Sequence, residues 1–254
     1  MVEEKLQIRI HGEPGLPTLV YLPGLHGDWT LVGNFRRQLA GKARFVEFTY
    51  PRTLTWSLDE YAAAVEQALK ANGVTGGWLL GESFGSQILW PLVRRGNFPA
   101  QGIILAGGFV KHPLRWLVHL AEKLLGQIPF TVLVWAMYSF TKCARYYFRH
   151  SPERLAELEE FVARRTRLDS QAATHRLHLI THNDPRPIAA GTPLPIFYIT
   201  GFFDPIVQWP LVRFWLKKNC PAFREARIVG TADHNVLGSG SRDAARQIVD
   251  WLSR

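Results

Sequence analysis

Gly77-Trp78-Leu79-Leu80-Gly81-Glu82-Ser83-Phe84-Gly85 is the stretch on which the reading of this fold turns. Gly77 to Leu80 is a brief apolar run of the kind a buried strand makes, and Ser86 to Arg94 resumes with apolar residues at helical spacing. Between them, Gly81-Glu82-Ser83-Phe84-Gly85 fits a G-x-S-x-G turn, whose small flanking residues let the chain bend so sharply that the serine hydroxyl stands clear of the strand end. Five such residues recur by chance in many chains; the strand before and the helix after give the pattern its meaning.

The same alternation extends on both sides. Leu6 to Ile10 alternates apolar and polar residues as a half-exposed strand does, and Thr18 to Leu22 is an apolar run ending at Pro23-Gly24. A helix is expected around Thr30 to Ala40, a strand at Ala43 to Phe48, and a long helix capped by Ser57, with Asp59 and Glu60 in its first turn and Gly73 as its stop. Gly102 to Ala106, Pro195 to Thr200 and Ala226 to Val229 read as further strands, and Trp209 to Lys218 and Arg242 to Leu252 as helices. Strands alternating with helices imply the α/β class, a mostly parallel sheet covered on both faces by right-handed crossovers. The interruption is 109–190, which holds no convincing strand and predicts a helical insertion over the C-terminal edge of the sheet, with 1–108 and 191–254 forming the core. No internal repeat or low-complexity tract is present.

Composition narrows the class. With 254 residues, 47% hydrophobic and only 20% charged, the chain can bury one large core, which excludes a disordered protein. The formal charge of +9 is scattered, without the Lys/Arg block and interleaved aromatics that would point to nucleic acid. Cys143 and Cys220 lie far apart and match no metal or redox spacing, so two reduced, partly buried thiols are expected. Met1 to His11 has no apolar run resembling a secretory signal, so the expected address is cytoplasmic. The longest uncharged run, Leu124 to Phe140, carries Gly126, Gln127 and Pro129 and is short for a membrane span, which predicts a buried helix pair or an interfacial segment.

A serine hydroxyl is a poor nucleophile at neutral pH; it needs a base within hydrogen-bonding reach and an acid that holds the base in the right tautomer. Behind a G-x-S-x-G turn the partners follow in the order Ser, Asp or Glu, His. Asp204, just beyond the strand ending at Thr200, is the candidate acid, and its other reading is a turn residue before Pro205. His234, in the loop between the last strand and the last helix, is the candidate base. Asp233 is expected to point away from its neighbour and serve as a capping or supporting residue. Acyl transfer also requires donors for an oxyanion, and the amides of Leu25 and Phe84 are the candidate pair. His26 is read as a loop histidine bonded to backbone, and Asp28 as a cap or turn former.

Taken together, Leu22-Pro23-Gly24-Leu25-His26-Gly27, Gly81-Glu82-Ser83-Phe84-Gly85, Gly201-Phe202-Phe203-Asp204 and Ala232-Asp233-His234-Asn235 resemble the α/β-hydrolase superfamily over about the first 108 residues and from about Pro193 to the end. The resemblance implies a Ser-His-Asp hydrolase without metal or organic cofactor, with a variable cap between the sixth and seventh strands of its sheet. Pro23-Gly24 stands where many members carry His-Gly; the glycine and the next amide survive, and with them the oxyanion donor. Serine at the elbow also argues against dehalogenase relatives, which carry aspartate there.

The expected reaction is cleavage of an ester of a moderately apolar acyl chain, as in carboxylesterases and lipases. A thioesterase, peptidase or C–C bond hydrolase on the same three residues, and a silent member that only binds a ligand or protein, are the alternatives. Trp116, Trp135, Tyr138, Phe140, Tyr146, Tyr147 and Phe148 are expected chiefly to pack the insertion onto the core, with an apolar pocket or a peripheral membrane contact as the other uses. Between Val110 and Ala190, 12 Lys or Arg face 7 Asp or Glu, which favours anionic substrates or acidic headgroups. His175, His178 and His182 share helical spacing, but without a clear fourth ligand they read as a polar helix face rather than a metal site. Ser151-Pro152 and Glu153 to Glu160 read as the start of a capped surface helix.

Overall fold

The computed structural model describes residues 5–147 and 152–254. In chain order it contains β1 (Gln7–His11), β2 (Thr18–Leu22), a 3-10 turn (Thr30–Val32), α1 (Gly33–Leu39), β3 (Arg44–Thr49), α2 (Leu58–Ala71), β4 (Gly77–Glu82), α3 (Gly85–Arg95) and β5 (Ala100–Ala106). Then come five helices, α4 (Arg115–Gln127), α5 (Phe130–Tyr147), α6 (Pro152–Ala163), α7 (Arg167–His182) and α8 (Arg186–Gly191). The chain closes with β6 (Ile196–Gly201), α9 (Trp209–Asn219), β7 (Phe223–Val229), α10 (Val236–Ser239) and α11 (Ser241–Leu252).

The seven strands form one sheet in the order β1-β3-β2-β4-β5-β6-β7. β1 runs antiparallel to β3 and every other pairing is parallel. All six residues of β4 are buried, which is why this strand shows no polar alternation: both of its faces are covered. One apolar layer packs α2, α3 and α9 against the sheet, around Tyr61, Trp90 and Leu216; the other packs α1 and α11 around Phe35 and Trp251. Ser57 caps α2 as expected: its hydroxyl accepts the Glu60 amide while the Glu60 carboxylate accepts the Ser57 amide at 2.7 Å.

The structure departs from the sequence reading in instructive places. The single helix expected from Thr30 to Ala40 is divided into a 3-10 turn and α1. β7 starts at Phe223, three residues before the expected Ala226; it is an edge strand, and the exposed Arg224 with Glu225 beside it breaks the apolar run before Ala226. The helices α4 to α8 lie between β5 and β6, one strand earlier than the resemblance implies, because this sheet has seven strands.

Within that helical stretch the long uncharged run breaks at Pro129, and α4 meets the first part of α5 at a bend of 109°. No single helix among the described residues is long and apolar enough to cross a membrane. The expectation that the aromatics pack inward fails for three of them: Trp116 is 65% exposed, Trp135 73% and Tyr138 55%. The side chains of Phe140, Cys143, Tyr146 and Tyr147, and all of Phe148 and Ser151, lie outside the described residues, as does the side chain of Glu153. Cys220 is a buried free thiol, and burial pushes its pKa up to about 11.

Candidate active site

β4 delivers Ser83 at its C-terminal end. Among the described residues Ser83 is the only non-glycine with positive φ, at 47°. Its amide donates to the Ala106 carbonyl at 3.1 Å, and its own carbonyl accepts the Ser86 amide at 3.0 Å, so the strained turn is held from both sides. The flanking glycines are steric requirements. A Cβ on Gly81 would lie 2.8 Å from Ser86 Cα, and one on Gly85 would lie 2.0 Å from the Leu22 carbonyl oxygen.

The structure brings Ser83, His234 and Asp204 together. His234 Nε2 lies 2.9 Å from Ser83 Oγ, and His234 Nδ1 lies 2.8 Å from Asp204 Oδ2. The Asp204 side chain is fully buried, and its Oδ1 accepts the amides of Ile206 and Val207, both at 2.9 Å. The carboxylate is thereby a fixed acceptor, which sets the imidazole with Nδ1 protonated and Nε2 free to accept from the serine. Asp233 turns away, as expected, and accepts the Asn235 amide at 3.0 Å.

Leu25 and Phe84 approach the serine from two directions. Phe84 follows it directly and caps α3, while Leu25 sits in the loop after β2, where a Cβ on Gly24 would lie 3.5 Å from Ser83 Cβ. Among the described residues neither the Leu25 nor the Phe84 amide donates to a protein acceptor.

Two arginines that carry no signal in the sequence hold this loop. Arg176 of α7 is buried and donates to the Leu25 carbonyl at 2.9 Å and the Pro51 carbonyl at 3.2 Å. Its guanidinium occupies the space a side chain on Gly27 would need. Arg165, after α6, donates to the Asp28 carboxylate and to the His26 carbonyl at 3.3 Å. Asp28 also accepts the Thr30 amide at 3.0 Å, the turn-forming role expected of it. Burial opposes ionisation of Asp28, but His26, Arg165 and the Thr30 hydroxyl outweigh it and hold the carboxyl at about 2. His26 differs from expectation: its ring makes no hydrogen bond among the described residues, packs edge-on to Phe161, and buries Nε2 without a partner.

A cavity of about 190 Å³ opens over Ser83 and His234. Phe109, Val118, Leu177 and Ile180 give it apolar walls, three of them from α4 and α7. Leu25 and His26 also border a second hollow of about 350 Å³ lined by Leu125, Phe130, Leu133 and Met137.

His112, also missed in the sequence, lines the Ser83 cavity and receives the Leu114 amide on Nδ1 at 3.2 Å. Burial, then the neighbouring His234, push its pKa down to about 4. The folded state therefore resists protonating this ring while the unfolded chain takes the proton near pH 6.5, so the associated stability is complete above about 6.5 and drains away as pH falls toward 4. Urea titrations across that interval are expected to show an acid-dependent loss on the order of 3 kcal/mol that His112→Gln removes. Equal slopes in the two proteins would refute the assignment.

The three histidines of α7 part company. His175 bonds the Trp56 carbonyl at 2.8 Å, His178 bonds Glu122 at 3.0 Å, and the His182 ring lies tilted against His178 with its Nδ1 at the His178 carbonyl. Among the described residues no group of three potential metal ligands converges.

No protein-family model and no curated protein matches the sequence. Solved structures match over nearly the whole chain. An enol-lactonase from Burkholderia xenovorans LB400 has a TM-score of 0.78 at 16% identity, covering 98% of this chain and 96% of that one. An esterase from Exiguobacterium antarcticum has a TM-score of 0.78 at 13% identity, with 98% and 96% covered. A bromoperoxidase from Bacillus anthracis has a TM-score of 0.77 at 13% identity, with 98% and 95% covered. At such identities the likeness establishes the fold alone, and the fold hosts more than one chemistry.

Proposed function

We propose that this chain, which has the α/β-hydrolase fold, is a serine hydrolase that cleaves a carboxylic ester of a moderately apolar acyl group. The observation that carries the reading is the continuous hydrogen-bonded line from Ser83 through His234 to the buried Asp204. His234 Nε2 takes the proton as Ser83 Oγ attacks the ester carbonyl, and the imidazolium that forms is stabilised by Asp204. The Leu25 and Phe84 amides receive the oxyanion, His234 returns its proton to the leaving alcohol, and water then repeats the sequence to release the acid. The helices between β5 and β6 act as a cap, since Val118, Leu177 and Ile180 roof the cavity over the serine. The cavity's apolar walls suit an acyl chain better than a peptide backbone, which carries polar groups that would stay unpaired there.

The test is covalent capture. A fluorophosphonate is expected to label Ser83, located by peptide mass, and to leave Ser83→Ala unlabelled. In Asp204→Asn the imidazole loses its orienting anion, and turnover of p-nitrophenyl esters is expected to fall about 10³- to 10⁴-fold with KM little changed. A folded protein that neither reacts with the probe nor turns over acetyl to octanoyl esters overturns the enzyme reading and leaves a ligand-binding member of the fold.

A further inference from the structure

The α4–α5 hairpin has two apolar faces. Leu125, Phe130, Leu133 and Met137 point inward and line the 350 Å³ hollow that Leu25 and His26 also border. On the other side Trp116, Leu120, Leu124, Val132, Trp135 and Tyr138 are exposed, each residue between 46% and 73%. An amphipathic helix in a globular protein keeps one apolar stripe and turns it to the core; a second stripe in water, with two tryptophans near its two ends, requires an apolar neighbour.

The surrounding charge says which neighbour. From Lys111 to Tyr147 the chain carries Lys111, Arg115, Lys123, Lys142 and Arg145 against Glu122; Asp184 pairs with Lys111 at 2.6 Å and Glu159 with Arg145 at 2.7 Å, which leaves Arg115, Lys123 and Lys142 as the surplus. Glu122 is engaged by His119 at 3.3 Å and His178 at 3.0 Å, while Lys123 and Lys142 are exposed. Tryptophan and tyrosine favour the headgroup level of a bilayer, and cations beside them favour anionic lipid. The 109° bend at Pro129 excludes a straight crossing and suits helices lying in the interface.

We propose that the outer face of α4 and α5 seats this protein on the surface of an anionic phospholipid bilayer, without spanning it. The inner face then offers an apolar passage from the lipid side toward Leu25 and His26, so the substrate class is an ester whose acyl chain resides in the membrane. This second statement rests on the hydrolase reading; the docking does not.

Flotation with phosphatidylcholine vesicles containing phosphatidylglycerol tests the docking independently of activity. The protein is expected to float with these vesicles, to float far less with pure phosphatidylcholine or in high salt, and to lose roughly tenfold or more of its partitioning in Trp116→Ser/Trp135→Ser. Both tryptophans are solvent-exposed, so labelling of Ser83 by a soluble fluorophosphonate is expected to stay unchanged in that variant. Cleavage of a long-chain ester embedded in the anionic vesicles is expected to fall with the partitioning, while a soluble short ester is cleaved as before. Wild-type protein that stays in solution with anionic vesicles, or a double variant that floats equally well, overturns the proposal. So does a wild-type dimer that the double variant dissociates in the absence of lipid, which would make this face a contact between copies. Flotation without cleavage of either ester leaves the docking standing and removes the hydrolase reading instead.

Discussion

Ser83→Ala is expected to lower kcat/KM by about four to six orders of magnitude while leaving a folded protein. In the proposed mechanism the hydroxyl gives its proton to His234; the two groups lie 2.9 Å apart, and the described site offers no second hydroxyl on that nitrogen. His234→Ala is expected to cost nearly as much, and the double variant no more than either, because the two groups act in one step. The backbone supplies an independent check. At φ 47° a Cβ is strained, so Ser83→Gly is expected to be just as inactive as Ser83→Ala yet more stable by about 1 kcal/mol. Initial rates with a soluble ester for the four variants and urea midpoints for Ser83→Ala and Ser83→Gly settle both points. Residual activity in Ser83→Ala within a hundredfold of wild type would remove Ser83 from the chemistry, and equal midpoints for Ala and Gly would contradict the strained turn.

Gly85→Ala carries the next largest expectation, on stability. Its Cβ would fall 2.0 Å from the Leu22 carbonyl oxygen and 2.7 Å from the Leu22 carbonyl carbon, both backbone atoms. Leu22 pairs with Gly81 across β2 and β4, so it cannot retreat without breaking the sheet at its centre. A loss of about 3 kcal/mol or more is expected. The part that still folds is expected to turn over slowly, because the strain displaces the loop that presents the Leu25 amide. Gly15→Ala is the control: nothing lies within 4 Å of its Cβ and its φ is ordinary, so its melting curve is expected to overlay that of the wild type. A Gly85→Ala curve that also overlays the wild type would show that the close approach at the elbow is not real.

Much of this was legible before any coordinates. Short-range patterns carried it: the apolar run of β4, the small residues around Ser83, the cap at Ser57, and the order in which Ser83, Asp204 and His234 occur. Each depends on backbone geometry over a few residues or on chain order, which a linear string records. The missed residues are those whose role depends on a distant partner. Arg176 is one cation on a basic helix until its carbonyl partners, Leu25 and Pro51, are seen more than a hundred residues upstream. Arg165 gains meaning only from Asp28, and His112 only from the cavity wall it forms. The outward aromatics of α4 and α5 are not legible in the sequence for a related reason. Composition counts apolar residues but does not say which face of a helix finds a neighbour, and here the faces are divided between a hollow and solvent.

The arginines that reach from the helical stretch to the loop after β2 bear on how freely such a stretch can be exchanged. A cap that only rests on its core could be swapped between relatives or trimmed to a minimal catalytic body. Here Arg176 satisfies the carbonyls of Leu25 and Pro51, and Arg165 neutralises the buried Asp28. A graft without those two guanidinium groups would strip hydrogen bonds from the very loop that presents Leu25 to the serine. On the proposed reading, substrate range in this chain is therefore not modular: any redesign of the roof must carry both arginines with it, or rebuild the floor.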